Sequence, residues 1–149
     1  MTYFLKLNGV SMLYALMALI PLELTVNIYR IYRLTGWKAT VVNGTLLAVM
    51  LIVFVVGSVG IYVLSKKWIK GRNAGFWTAV LWIPYFLLFT YGFSRLFPIT
   101  NPGDEPTPVL GLIILPGLFA YPFYILILTY IANTQVKENA HAKPKNPTI

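Results

Sequence analysis

Glu23 is the only acid in this chain set inside an apolar run. It stands in "LIPLELTVNIYRIYR", residues 19–33, just after Pro21 and ahead of Asn27 and Arg30. A carboxylate so placed supports two chemistries. In one it takes up a proton or a cation, because apolar surroundings make a bare carboxylate costly and a partner correspondingly favourable. In the other it pairs with a guanidinium, Arg30 on its own helix or Arg95 at the same depth on another, and clasps the outer ends of a helical bundle. A 3.6-residue period places Glu23, Asn27 and Arg30 on one face, with Met12, Leu16 and Leu19 continuing that stripe inward. The clasp is the preferred reading. Two arginines are within reach, and Glu23 lies in the outer third of its segment, where a buried charge costs less than at the centre.

Other chemistry is limited by what the chain lacks. It has no cysteine, so disulfides, thiolate nucleophiles and iron-sulfur clusters are excluded. The single histidine, His141, falls in a polar tail, which leaves no histidine base, haem ligand or zinc protease site in the apolar segments. No segment pairs two acids for an aspartyl protease or a two-metal centre. There is no glycine-rich phosphate loop and no G-x-S-x-G elbow. No metal and no cofactor is expected, and an enzyme would have to act through tyrosine, arginine or a lone carboxylate.

The elements that must position these residues are membrane-spanning helices. Of 149 residues, 58% are hydrophobic and 11% charged, and the mean hydropathy is +0.71, far from a soluble domain, in which about a quarter of residues are charged. Four apolar runs are long enough to cross about 30 Å of hydrocarbon at about 1.5 Å per residue. They cover residues 9–29, 41–64, 74–96 and 109–132. The runs are continuous rather than alternating, so helices satisfy their backbone and barrel strands do not fit. The sequence therefore predicts an all-α, four-helix transmembrane bundle over residues 1–132, followed by a polar, disordered cytoplasmic tail, 133–149, in which Pro144 and Pro147 oppose helix.

Prolines interrupt three of the spans, at Pro21, at Pro84, and at Pro116, beside Gly117, with Pro122. Each removes a backbone donor and frees a carbonyl one turn earlier, so these are candidate hinges. Gly57, Ser58 and Gly60 in the second span are small enough to let another helix approach, within the bundle or in a second copy. The aromatic side chains of the third and fourth spans either line a pocket for a lipid-soluble molecule or face lipid.

Lysine and arginine counts set the orientation. With the N-terminus in the cytoplasm, that side holds Lys6, Lys66, Lys67, Lys70, Arg72, Lys137, Lys143 and Lys145, against Arg30, Arg33, Lys38 and Arg95 outside. Both termini are thus expected to be cytoplasmic, in a bacterial-type plasma membrane. The net charge of +8 is read as topology and lipid contact, not nucleic-acid binding. On the outside, "FPITNPGDEPTPV" is dense in proline and turn residues and reads as a stiff loop; it also carries Asp104 and Glu105.

In architecture alone, four short spans with one glutamate in the first resemble the small multidrug resistance transporters, whose glutamate exchanges protons for cationic drugs. This chain is longer, its Glu23 lies nearer the helix end, and it carries none of that family's sequence motifs. The preferred expectation is a non-enzymatic accessory, regulatory or immunity-type subunit of a larger membrane complex, in contact with the lipid bilayer and with another membrane protein or a second copy. The alternative is a small oligomeric transporter or channel that uses Glu23, and a membrane enzyme is the least supported class.

Overall fold

The computed structural model describes residues 2–70 and 73–141, apart from the side chains of Thr2, Ala140 and His141. Arg72, Lys143, Lys145, Pro144 and Pro147, all used above, lie outside the described residues. The protein is all-helical: α1 (Thr2–Val26), a short α2 (Ile28–Thr35), α3 (Ala39–Trp68), α4 (Thr78–Leu96) and α5 (Pro108–His141), with single 3-10 turns at Asn73–Trp77 and Pro102–Asp104. Among the described residues, four helical stretches are long and apolar enough to cross a membrane, the make-up of a multi-pass membrane protein.

Local chemistry explains where the helices stop. Asn27, at φ −91° and ψ 15°, ends α1, and its side-chain amide donates to the Glu23 carbonyl at 2.9 Å, competing with regular helix geometry. α2 is strongly two-sided, and Gly36 closes it in the left-handed region at φ 63° with its N–H on the Tyr32 carbonyl. Only glycine adopts that conformation cheaply, so a β-branched residue at position 36 would strain the turn. Lys66 and Lys67 occupy the last turn of α3, where cations suit the partial negative charge of the helix end. Pro108 opens α5, a position where its missing N–H costs nothing.

Two boundaries differ from the sequence reading. The first span begins at Thr2 and ends at Val26, with the remaining residues to Thr35 forming a separate helix. The fourth runs on to His141, so residues 133–141, expected to begin the tail, are helical. Ala132 and Asn133 are still buried in the bundle there, and Thr134 and Gln135 make hydrogen bonds along the helix. The four prolines do not break their helices, which are continuous through Pro21, Pro84, Pro116 and Pro122. The interruption instead falls at Asn27.

α1 is the centre of the bundle. It packs most extensively on α4 and then on α3, while α5 bridges α3 and α4 behind it. The core joins Val10, Tyr14 and Met17 of α1 to Ile61 of α3, Trp82 and Phe86 of α4 and Ile125 of α5. Lipid tails are as apolar as these side chains, so their burial gains little from the hydrophobic effect, and close packing and interhelical hydrogen bonds do the holding. Trp82 meets Tyr121 edge-on, with centroids 4.8 Å apart. The Tyr121 hydroxyl donates to the Tyr14 carbonyl at 2.7 Å, Tyr85 donates to Asn8 at 2.6 Å, and the Ser58 and Tyr124 hydroxyls meet at 2.6 Å. Each such bond contributes about 0.6 kcal/mol inside a membrane protein.

The small residues of α3 divide between two roles. A Cβ on Gly57 would stand 2.8 Å from the Met17 sulfur, so this glycine is what lets α3 approach α1. Ser58 faces α5 through Tyr124. Gly60 faces outward, with nothing within 4 Å of where its Cβ would be, and takes no part in packing within the chain.

Candidate functional site

At the end of the bundle that carries residues 97–107, two polar centres lie side by side. The first follows from the α1 face read in the sequence. Glu23, Asn27 and Arg30 line one open groove of about 440 Å³, walled by Leu19, Phe93 and Phe97. Glu23 is half-buried, and its Oε2 accepts a hydrogen bond from the Asn27 amide at 3.2 Å.

The expected clasp between Glu23 and an arginine is not formed among the described residues. Arg30 donates instead to the Phe97 carbonyl at 3.1 Å and to the Pro98 carbonyl, and its Nε lies 3.6 Å from Asp104. The reason is spacing. Glu23 and Arg30 share a face but are two turns apart, about 10 Å along the axis, whereas Asn27 is one turn away and directly adjacent. Arg95 does not join the cluster; it is exposed, with its guanidinium 6.0 Å from the centre of the Tyr91 ring.

The second centre was not foreseen. Arg33 grips Asp104 with two hydrogen bonds, Nε to Oδ1 at 2.9 Å and Nη2 to Oδ2 at 2.7 Å, the paired geometry that suits a guanidinium to a carboxylate. The Asp104 side chain is only 1% exposed, covered by the loop and the two arginines rather than by the bundle. Foremost among its influences, the Arg33 hydrogen bond holds the Asp104 carboxyl below the usual carboxylate range, and the same bond raises Arg33.

The loop is shaped to present this acid. The Asn101 side chain accepts from the Gly103 N–H at 2.9 Å, the Asp104 N–H reaches the Asn101 carbonyl at 2.9 Å, and the Tyr29 and Thr107 hydroxyls meet at 3.4 Å. The signal in the sequence was the i, i+3 pair Arg30 and Arg33, which places two cations on one face of α2, together with acids on the same side of the membrane.

A second groove, about 280 Å³, opens between α1, α3 and α5 beside Met17, Pro21, Phe54, Gly117 and Tyr121. Two of the expected hinge residues, Pro21 and Gly117, line it. At Gly117 a Cβ would meet nothing within 4 Å. Its walls are apolar, and the Tyr121 hydroxyl is already committed to Tyr14, so it offers shape but no reacting group. Among the described residues, no three histidines, cysteines or acids come together as metal ligands.

No protein-family model, curated protein or solved structure matches this chain.

Proposed function

We propose that this chain is a non-enzymatic membrane protein that works by helix packing, as an accessory, regulatory or immunity-type subunit of a larger complex in a bacterial-type plasma membrane, with both termini cytoplasmic. The observation that carries the reading is uneven cover. In the most apolar stretch of α1, 33% of residues are buried, against 11% in α3 and 6% in α5. Several polar side chains, by contrast, are engaged within the fold, Asp104 by arginines, Asn8 by Tyr85 and Ser58 by Tyr124. α3 and α5 therefore offer long apolar faces suited to the helices of another protein. The clustering of Lys6, Lys66, Lys67 and Lys137 at the end opposite the Asp104 loop supports the orientation.

Extraction from the native membrane in mild detergent tests this reading. A larger partner recovered in stoichiometric amount is the expected result; a homo-oligomer recovered alone would overturn it. One observation favours a second reading as a small transporter or channel, namely that Glu23 has no arginine partner among the described residues. Proteoliposome flux that depends on pH and disappears in Glu23→Gln would establish that reading.

A further inference from the structure

We propose that the turn closing α3 holds the headgroup of an anionic phospholipid, its phosphate resting among the ammonium groups of Lys66, Lys67 and Lys70. The site lies at the end of the bundle opposite the Asp104 loop and is independent of the accessory-subunit reading.

Unbalanced charge is the first ground. Lys66 and Lys67 stand in the last turn of α3, and Lys70 follows one turn after Lys66. Of the four acids in the chain, only Glu138 lies at this end, and it accepts a hydrogen bond from Gln135 at 3.2 Å. Among the described residues none of the three lysines has an acid partner. Lys66 reaches only the Tyr62 hydroxyl, at 3.5 Å, and the ring that carries it. A helix end carries about half a unit of negative charge, so three ammonium groups leave an excess of about two and a half units.

The second ground is that these charges are held in place. Lysines that only set topology need no fixed arrangement, whereas this turn is tied down. Ile69, between Lys67 and Lys70, is fully buried. A Cβ on Gly75 would stand 2.8 Å from the Ile69 Cγ2 and 3.4 Å from that of Thr129, so the turn is pressed onto α5. The Ser65 carbonyl accepts from the Ile69 N–H at 2.9 Å and from the Lys70 N–H at 3.3 Å. Lys70 itself is left-handed, at φ 53°, and is the one non-glycine residue with a positive φ among the described residues. Glycine would close the turn without the steric cost of a Cβ. What lysine adds there is its charge.

The bilayer supplies the third ground. α3 is a span-length helix with the lysines at its end, and Trp77, 63% exposed beside the start of the next span, is the kind of ring that settles at headgroup level. A lipid lying against α3 therefore brings its phosphate to the turn without leaving the membrane. A zwitterionic headgroup carries its own cation and gains less from the lysines.

The full-length chain in neutral maltoside micelles is titrated with radiolabelled dioctanoyl phosphatidylglycerol. Saturable binding of about one lipid per chain is expected. Lys66→Gln, Lys67→Gln and Lys70→Gln together should weaken it at least about tenfold. Lys137→Gln, Lys143→Gln and Lys145→Gln together remove the same charge from the C-terminal segment and should leave it nearly unchanged. Unchanged melting of both triple variants excludes unfolding as the cause. Lys70→Gly gives an independent sign, since relief of the left-handed side chain should raise the melting temperature while loss of the ammonium group lowers affinity. Undiminished binding in either altered turn, or equal weakening in the two triple variants, would overturn the proposal. So would equal binding of dioctanoyl phosphatidylcholine, or displacement of the label by free glycerol phosphate at equal concentration.

Discussion

Glu23 and Asp104 carry the same functional group at the same end of the bundle, yet Glu23 has a neutral amide for company while Asp104 has two arginines. The difference follows from how each acid meets α2. Asp104 is carried by a loop that can fold until its carboxylate reaches both Arg30 and Arg33, which are one turn apart on one helix face. Glu23 stands on α1, seven residues before Arg30 on α2, and the backbone hydrogen bonds that run through Asn27 hold the two about two turns apart. A loop can bring charge to charge; a helix can do so only at the spacings its turns allow.

Removing the loop acid should have the largest effect. Asp104→Ala leaves two guanidiniums without their carboxylate, and the expected outcome is a fall of several degrees in melting temperature, with faster proteolysis within residues 97–107. The two arginines should then separate. Arg33→Gln removes both close hydrogen bonds, whereas Arg30→Gln removes the longer contact and two bonds to carbonyls. Loss of the ion pair with Asp104 should therefore be greater for Arg33, measured as coupling to Asp104→Asn in a double-mutant cycle.

Acid titration gives a smaller and more specific effect. Because its folded-state carboxyl titrates below the usual range, Asp104 contributes stability that is complete above about pH 4 and lost as pH falls through the lowered value. Melting curves should show a loss in that acid limb that Asp104→Asn lacks. Arg33, raised by the same contact, titrates too high to add a change near neutrality. The smallest effect is expected from Glu23→Gln, within about 0.5 kcal/mol of the parent, because the amide can keep the contact with Asn27 and no ion pair is lost. A large loss of stability there would mean that Glu23 has a charged partner and would erase the contrast with Asp104.

The helices and the polar face of α1 were legible in the sequence because both depend on local pattern. A long apolar run marks a span, and a 3.6-residue period puts Glu23 with Asn27 and Arg30 in the groove they share. What was hidden depended on contacts between distant segments. The Arg33 and Asp104 pair joins residues brought together only when the loop folds over α2. The continuation of α5 past Ala132 was also missed, because polar composition there outweighed the bundle contacts that keep Asn133 buried. α1 runs on through Pro21, and the departure from regular helix geometry falls at Asn27, which no apolar pattern marks.

The central place of α1 also orders events during synthesis. Its Trp82- and Phe86-binding face and its Asn8 side chain are made before the helix that covers them, since about fifty residues separate Val26 from Thr78. At roughly 5 to 20 residues per second, that interval lasts about 3 to 10 s. α3 arrives first and covers only one side through Gly57. Asn8 waits longer, about 4 to 15 s, because Tyr85, whose hydroxyl later satisfies it, follows 77 residues behind, and until then the nascent first helix stands in the bilayer with this inward face uncovered.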